Sequence, residues 1–302
     1  MKILFFTILP LTLTFVLGSS CARPETPIER ATVNMPHASL RSRDSATSRT
    51  LKVLEPGDQV EVMEDQGRWY RVRQGEIQGW MEASSLLTDS MRDLIQENVN
   101  SALNQVPQNT GVLREDGNLR LEPGRSTSIL RRLPSRTSVE VLDRRTLPRD
   151  ETSERLEAWL KIRSSPTEVG WLLGAFVEFD VPEEISRYTE EYTYSSVQTL
   201  NRVDDPILGP VSWYVVGERR PGADPNLDFT GIRVFTWNQA RQRYETAYRK
   251  GSLRGIYPLQ AGKNGDKPTF RYYELGEDGT SRRARDFEMN GVVVREIRQT
   301  PG

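Results

Sequence analysis

The feature that most constrains this chain is that it repeats itself. Asn118-Leu119-Arg120 stands 79 residues after Ser39-Leu40-Arg41, and the same offset pairs Leu51 with Leu130, Leu54 with Leu133, and Val60-Glu61-Val62-Met63 with Val139-Glu140-Val141-Leu142. Trp69 then matches Trp159 and Gly79-Trp80 matches Gly170-Trp171, at offsets of 90 and 91, so the second copy carries a longer loop at about 144–156. A unit that recurs with its apolar positions in register is expected to build the same small structure twice. Each copy is a string of short runs rich in Val, Leu, Ile and Trp, broken by Gly, Pro, Asp and Ser, which is the pattern of a small antiparallel barrel. Apolar and polar residues alternate over 59–63 and 69–73, giving strands with one buried face. Pro56-Gly57-Asp58 supplies turn chemistry between two such runs.

Leu40-Arg41-Ser42, the stretch 54–62 with Gly57-Asp58 ahead of Val60 and Val62, the run Gly67-Arg68-Trp69-Tyr70-Arg71-Val72, Gly79-Trp80-Met81 and the closing Ser85-Leu86-Leu87 resemble a bacterial SH3 domain over residues 33–88. A second such domain is expected over 110–181, on Asn118-Leu119-Arg120-Leu121, Ala158-Trp159-Leu160-Lys161-Ile162 and Gly170-Trp171-Leu172-Leu173, with Ser135-Arg136 in place of the Pro-Gly turn. The resemblance implies two small SH3-like barrels. It also implies a partner, because tandem bacterial SH3 domains in exported proteins commonly bind peptidoglycan or position an envelope protein at the wall, with linkage supplying avidity.

At the N-terminus Lys2 precedes an apolar run over 3–17, and Gly18, Ser19 and Ser20 lead to Cys21. That is the layout of a secretory signal peptide over 1–20, and the run is short of the roughly 20 apolar residues a membrane span needs. Residues 17–21 resemble the lipobox of bacterial lipoproteins, with Gly18 where a large aliphatic residue is usual. The resemblance implies lipidation at Cys21, a membrane partner through the lipid anchor, and a location facing the periplasm or cell surface; plain cleavage leaving a free thiol is the alternative. As the one cysteine of the chain, Cys21 can form neither an intramolecular disulfide nor a cysteine zinc site. Residues 21–32 hold two prolines and no apolar period, and read as a lipidated tether.

Between the repeats, a helical linker is expected over 89–107. Met91, Leu94, Ile95, Val99 and Leu103 follow helical spacing to about Gln105, Asp89 and Ser90 can cap, and Pro107 ends the run. One apolar stripe should lie on a barrel. Residues 182–302 form a β-rich C-terminal domain with strands expected over 211–218, 232–237, 244–249, 252–258, 269–274 and 292–297. The expected fold class is therefore mainly β, two small SH3-like barrels joined by a helix, plus a C-terminal antiparallel β-sheet or small barrel domain.

Signals for chemistry are few. The single histidine, His37, has no visible nucleophile beside it, and no Gly-rich phosphate loop, Ser-x-x-Lys or Gly-x-Ser-x-Gly motif occurs. No catalytic residue, metal or cofactor is expected. The pairs Glu190-Glu191 and Asp204-Asp205 read as solvated surface, and the basic runs 282–285 and 241–243 as a solvated hairpin end and a loop, with contact to an anionic wall polymer or lipid head group as the alternative. With 41 Lys and Arg against 42 Asp and Glu, charge gives no argument for nucleic acid. Four of the six tryptophans fall at matching places in the repeats and read as barrel core. Tyr70, out of phase with Trp69, then faces solvent, where its ring can stack on a ligand; Tyr70, Arg71 and Tyr272 are the candidate ligand-binding residues. The second copy has Leu160 in the place of Tyr70, so the first repeat should make more of the wall contact. The expected function is a lipid-anchored envelope binding or scaffold protein; the alternative is an envelope enzyme with its active site in the C-terminal domain.

Overall fold

The computed structural model describes residues 25–150 and 152–297; the expected signal peptide over 1–20 and the expected lipidation site Cys21 lie outside them. The chain divides into two compact units, the first ending at Leu86.

In the first unit Glu29–Val33 (β1), Ala38–Arg41 (β2), Thr50–Leu54 (β3), Gln59–Asp65 (β4), Trp69–Gln74 (β5) and Ile77–Glu82 (β6), with the edge strand Leu86–Thr88 (β7), form one antiparallel sheet in the order β3-β2-β6-β5-β4-β1-β7. Ala31, Val33, Leu40, Leu54, Val62, Tyr70, Val72, Met81 and Leu86 all meet in a single buried cluster. A sheet whose strands all face one core must curl around it, as in a small barrel. Strand β1 occupies residues read from sequence as tether: it pairs Ala31 with Val60, and Ala31 and Val33, two apart, both point into the core.

The second unit opens with the helix Asp89–Ala102 (α1). Its N-cap is Thr88, whose Oγ1 accepts the Met91 N–H at 3.2 Å, one position before the expected Asp89. Asn109–Leu113 (β8), Gly117–Arg120 (β9), Ile129–Leu133 (β10), Ser138–Pro148 (β11), Leu156–Ser165 (β12), Glu168–Leu173 (β13) and Val177–Phe179 (β14) then form a sheet in the order β10-β9-β13-β12-β11-β8-β14. Position for position this is the order of the first sheet. As the sequence stripe requires, α1 packs on this module: Val99 and Ala102 meet Leu142 and Val169. Leu103 falls past the last helical turn and is exposed.

After a short helix, Glu183–Ser186 (α2), the chain forms two four-stranded antiparallel sheets rather than one. Thr193–Asp205 (β15), Gly209–Arg219 (β16), Gly231–Asn238 (β17) and Arg243–Lys250 (β18) make the first; Gly255–Asn264 (β19), Lys267–Leu275 (β20), Arg282–Asn290 (β21) and Val293–Ile297 (β22) make the second. Their facing sides share one core, with Val215, Phe229, Ile232 and Val234 against Tyr257, Leu259, Phe270, Tyr272 and Phe287. The other face of the first sheet is covered by Ile185 of α2 and by Tyr188, which pack on Tyr194, Tyr214 and Phe235, so β17 is buried on both sides. Two strands escape the sequence pattern. β15, which lies ahead of the first expected strand, buries Ser195, Ser196 and Gln198. β21 begins in the arginine run 282–285 read as a solvated hairpin end; there Arg285 is paired with Glu274 at 2.8 Å and Glu296 at 3.0 Å.

Candidate functional site

The strand alternation seen in sequence is real, but Tyr70 does not face solvent. Tyr70 and Val72 point into the first core, with Met81 from β6, while Trp69, buried as expected but outside that cluster, and Arg71 lie on the opposite side. Tyr70 is 8% exposed and cannot present its ring to a ligand. Val72, two residues on, was the available signal: a valine sharing Tyr70's face and arginines at 71 and 73 sharing Trp69's mark the tyrosine side as the buried one. Leu160 is likewise core in the second module. Tyr272 is fully buried between Phe287, stacked at 5.6 Å, and Phe229, edge-on at 5.9 Å. Burial raises its phenol above the ordinary value, and it too is unavailable to a ligand.

What the outer face of the first module carries is a cross-strand row. Arg41 on β2 is opposite Trp80 on β6, Trp80 is opposite Arg71 on β5, and Arg71 is opposite Glu64 on β4. Gly79 makes the row possible: a Cβ there would stand 2.5 Å from the Arg41 carbonyl oxygen, so only glycine lets β2 approach closely enough to lay Arg41 beside Trp80. Arg41 Nη1 donates to the Ser48 carbonyl at 2.9 Å, closing the β2–β3 loop. Arg71 donates from Nε to Glu64 at 3.0 Å and from both terminal nitrogens to Glu25. These bonds hold both carboxyls below the usual range, Glu25 chiefly through Arg71 and Glu64 through Gln66 and then Arg71. Arg71 is therefore part of the site, but with its charge already met; Trp80, partly exposed, is the ring left open.

The second module repeats the row as Arg120, Trp171, Lys161 and Asp143 on β9, β13, β12 and β11. Gly170 lies under the Arg120 carbonyl as Gly79 does under Arg41, and Arg120 Nη1 reaches the Thr127 carbonyl. Here the row is covered. Lys161 Nζ bonds Ser101 of α1 at 3.1 Å, Arg163 Nη1 donates to the Ala102 carbonyl at 2.6 Å, and Asn98 Nδ2 to the Leu121 carbonyl at 3.3 Å. The Arg145 guanidinium lies 5.3 Å over the Trp171 ring, which is 5% exposed.

In the C-terminal sheets a pocket of about 650 Å³ is lined by Val203, Trp213, Trp237, Glu245 and Val292 among others. Glu245 is the one carboxylate of its lining, and bonds from Asn238, Arg241 and Arg243 hold it down to about 2. It is committed to those partners and is not poised for proton transfer. His37, far from any such cluster, is exposed and bonds Glu55 at 2.7 Å. Among the described residues no group of three or more His, Asp and Glu side chains is placed to hold a metal ion.

No curated protein matches the chain. Two solved proteins of Trichomonas vaginalis, NlpC2 and NlpC1, align with 91% and 90% of it, and with 98% and 92% of their own lengths, at 13% identity and a TM-score of 0.19 in each case. At that score the alignments establish no common fold. The family match is local and falls on the module with the open row: residues 36–87 are a bacterial SH3 domain.

Proposed function

We propose that this chain is a cell-envelope binding or scaffold protein that contacts peptidoglycan or a wall-associated partner through its first module, and that it does so without catalysing a reaction. The observation that carries the reading is the bacterial SH3 domain over 36–87 with Trp80 open between Arg41 and Arg71. A partly exposed indole flanked by cations offers an apolar stacking face with polar edges, which suits a sugar or peptide. The second module has the same row beneath α1, so it serves to mount the helix and the C-terminal sheets. The two repeats are thus unequal, through the covering of one row rather than through the exchange of Tyr70 for Leu160. We also propose export and acylation at Cys21, which would hold the first module at a membrane beside the wall.

The test is a pull-down of the full chain on purified wall sacculi. Trp80→Ala should lower binding severalfold, the cost of one stacking ring being about 1 kcal/mol, with an unchanged melting curve. Binding equal to wild type in that variant, or none in the wild type at any salt concentration, removes the wall-contact reading.

A further inference from the structure

Where β11 of the second module meets the C-terminal sheets, a pocket of about 330 Å³ is lined by Asp143, Arg144, Arg145, Asp228, Tyr257 and Arg282 among others. Arg144 is the deepest of its cations, with a side chain 9% exposed. Its Nη1 donates to the Leu227 carbonyl at 3.2 Å and reaches Asp228 at a loose 3.4 Å. The Nε and Nη2 groups donate to no protein atom, yet neither is sealed from solvent. A guanidinium that gives up most of its hydration normally has its fork of donors filled.

The two other arginines of the lining have no carboxylate partner among the described residues. Arg145 is exposed and rests on Trp171. Arg282 is exposed, donates to the Tyr257 carbonyl and lies 5.3 Å over the Tyr273 ring. The acids of the pocket leave these two arginines unmet: Asp143 accepts the Arg144 backbone N–H at 2.8 Å, and Asp228 accepts the Tyr257 N–H at 2.6 Å and faces Arg144 at 3.4 Å. Burial pushes the Asp228 carboxyl up to about 6, so at neutral pH it is still charged, and among the lining arginines that charge faces Arg144 alone. Three guanidinium groups against two carboxylates leave the lining with an excess of one cation, and an oxyanion is a ligand that can accept from several guanidinium donors at once.

We propose that this pocket binds the carboxylate or phosphate group of a small ligand, held between Arg144 within and Arg145 and Arg282 at the mouth. The inference is independent of the wall-contact reading, since its residues lie in the second unit and share nothing with the Trp80 row. Titration calorimetry on the full chain tests it with three probes: an N-acetyl dipeptide with a free carboxylate, the same dipeptide amidated, and inorganic phosphate. The free carboxylate, phosphate or both should bind, the amide should not, and the pattern tells which oxyanion the site prefers. Arg145→Gln and Arg282→Gln, both at exposed positions, should each weaken binding by about tenfold, as loss of a charged hydrogen bond does, while Trp80→Ala leaves it unchanged. Absence of binding by both anionic probes, or binding retained in the Arg145→Gln/Arg282→Gln double variant, overturns the proposal.

Discussion

The side-chain carbonyl of Gln108 accepts the backbone N–H of Leu259 at 2.7 Å, across 151 residues of chain. Gln108 is fully buried, and its backbone joins elements as well: its N–H goes to Val141 at 2.7 Å on β11, and its carbonyl takes the Val197 N–H at 2.8 Å on β15. With Asn109 Nδ2 on the Tyr194 carbonyl at 2.8 Å and Gln198 Nε2 on the Pro107 carbonyl at 2.8 Å, this polar seam makes the second module and the C-terminal sheets one unit. Gln108→Ala leaves the Leu259 N–H buried and unpaired. It should cost about 2 kcal/mol and split one denaturant transition into two; a single transition at the wild-type midpoint would count against the seam.

Tyr70 and Trp80 sit on opposite sides of one sheet, so truncating them should have opposite consequences. Tyr70→Ala empties a core position and should destabilise the first module by about 3–5 kcal/mol. Trp80→Ala should leave the melting temperature nearly unchanged. Thermal melts of the two variants decide it, and equal losses would mean that the faces are misassigned.

Asp228 makes stability depend on pH in an unusual direction. Burial is the main cause of its rise from 3.8 to about 6, with the Tyr257 N–H and Arg144 drawing it partly back and Asp143 opposing them; Arg219 and the Tyr257 phenol lie nearby. The folded chain therefore binds this proton more tightly than the unfolded chain. Its contribution is complete below about pH 4 and is lost as pH rises through 6, by about 3 kcal/mol. Urea midpoints at pH 4.5, 6 and 7.5 should fall more steeply for the wild type than for Asp228→Asn, and parallel curves would refute the assignment.

Asp205, read from sequence as solvated, is 3% exposed. Its Oδ1 accepts the Ile207 and Leu208 N–H groups at 2.9 and 3.0 Å, and its Oδ2 the Trp237 indole at 2.7 Å and Gln242 at 3.0 Å. The Trp237 bond is the main reason its carboxyl is held down to about 2. One side chain thus ties the β15–β16 turn to the β17–β18 turn and fixes the exposed pair Ile207 and Leu208. Asp205→Ala should speed amide hydrogen exchange at Ile207 and Leu208 by about tenfold, one hydrogen bond's worth; unchanged rates there would remove its anchoring role.

Cys21→Ser should abolish acylation if the N-terminal reading holds. The wild type should then partition into detergent with a mass above that of its peptide, and the variant should not. A wild-type protein carrying a free thiol would end that reading.

The repeat alone determined much of this architecture. Apolar positions that match in order, at an offset of 79 and then, past the longer loop, of 90 and 91, specify two sheets of one order, because short-range alternation and turn chemistry are carried within each copy; Gly79-Trp80 and Gly170-Trp171 mark the place where each row forms. The stripe on α1 likewise announced that the helix would pack. Alternation fixes which residues share a face, and Val72 against Arg71 and Arg73 marks the inner one of β5; what it does not give is the company each face keeps. That was set by partners far along the chain, with Leu40 and Met81 closing over Tyr70 and Val72 while the Arg41 carbonyl lay on Gly79. The polar strand β15 was invisible for a related reason: Ser195, Ser196 and Gln198 are buried because hydrogen bonds from distant segments satisfy them, which no local pattern encodes. The covering of the second row by α1, the Gln108 seam and the arginine pocket each depend on contacts between segments separated by many residues. They were decided only when the chain folded.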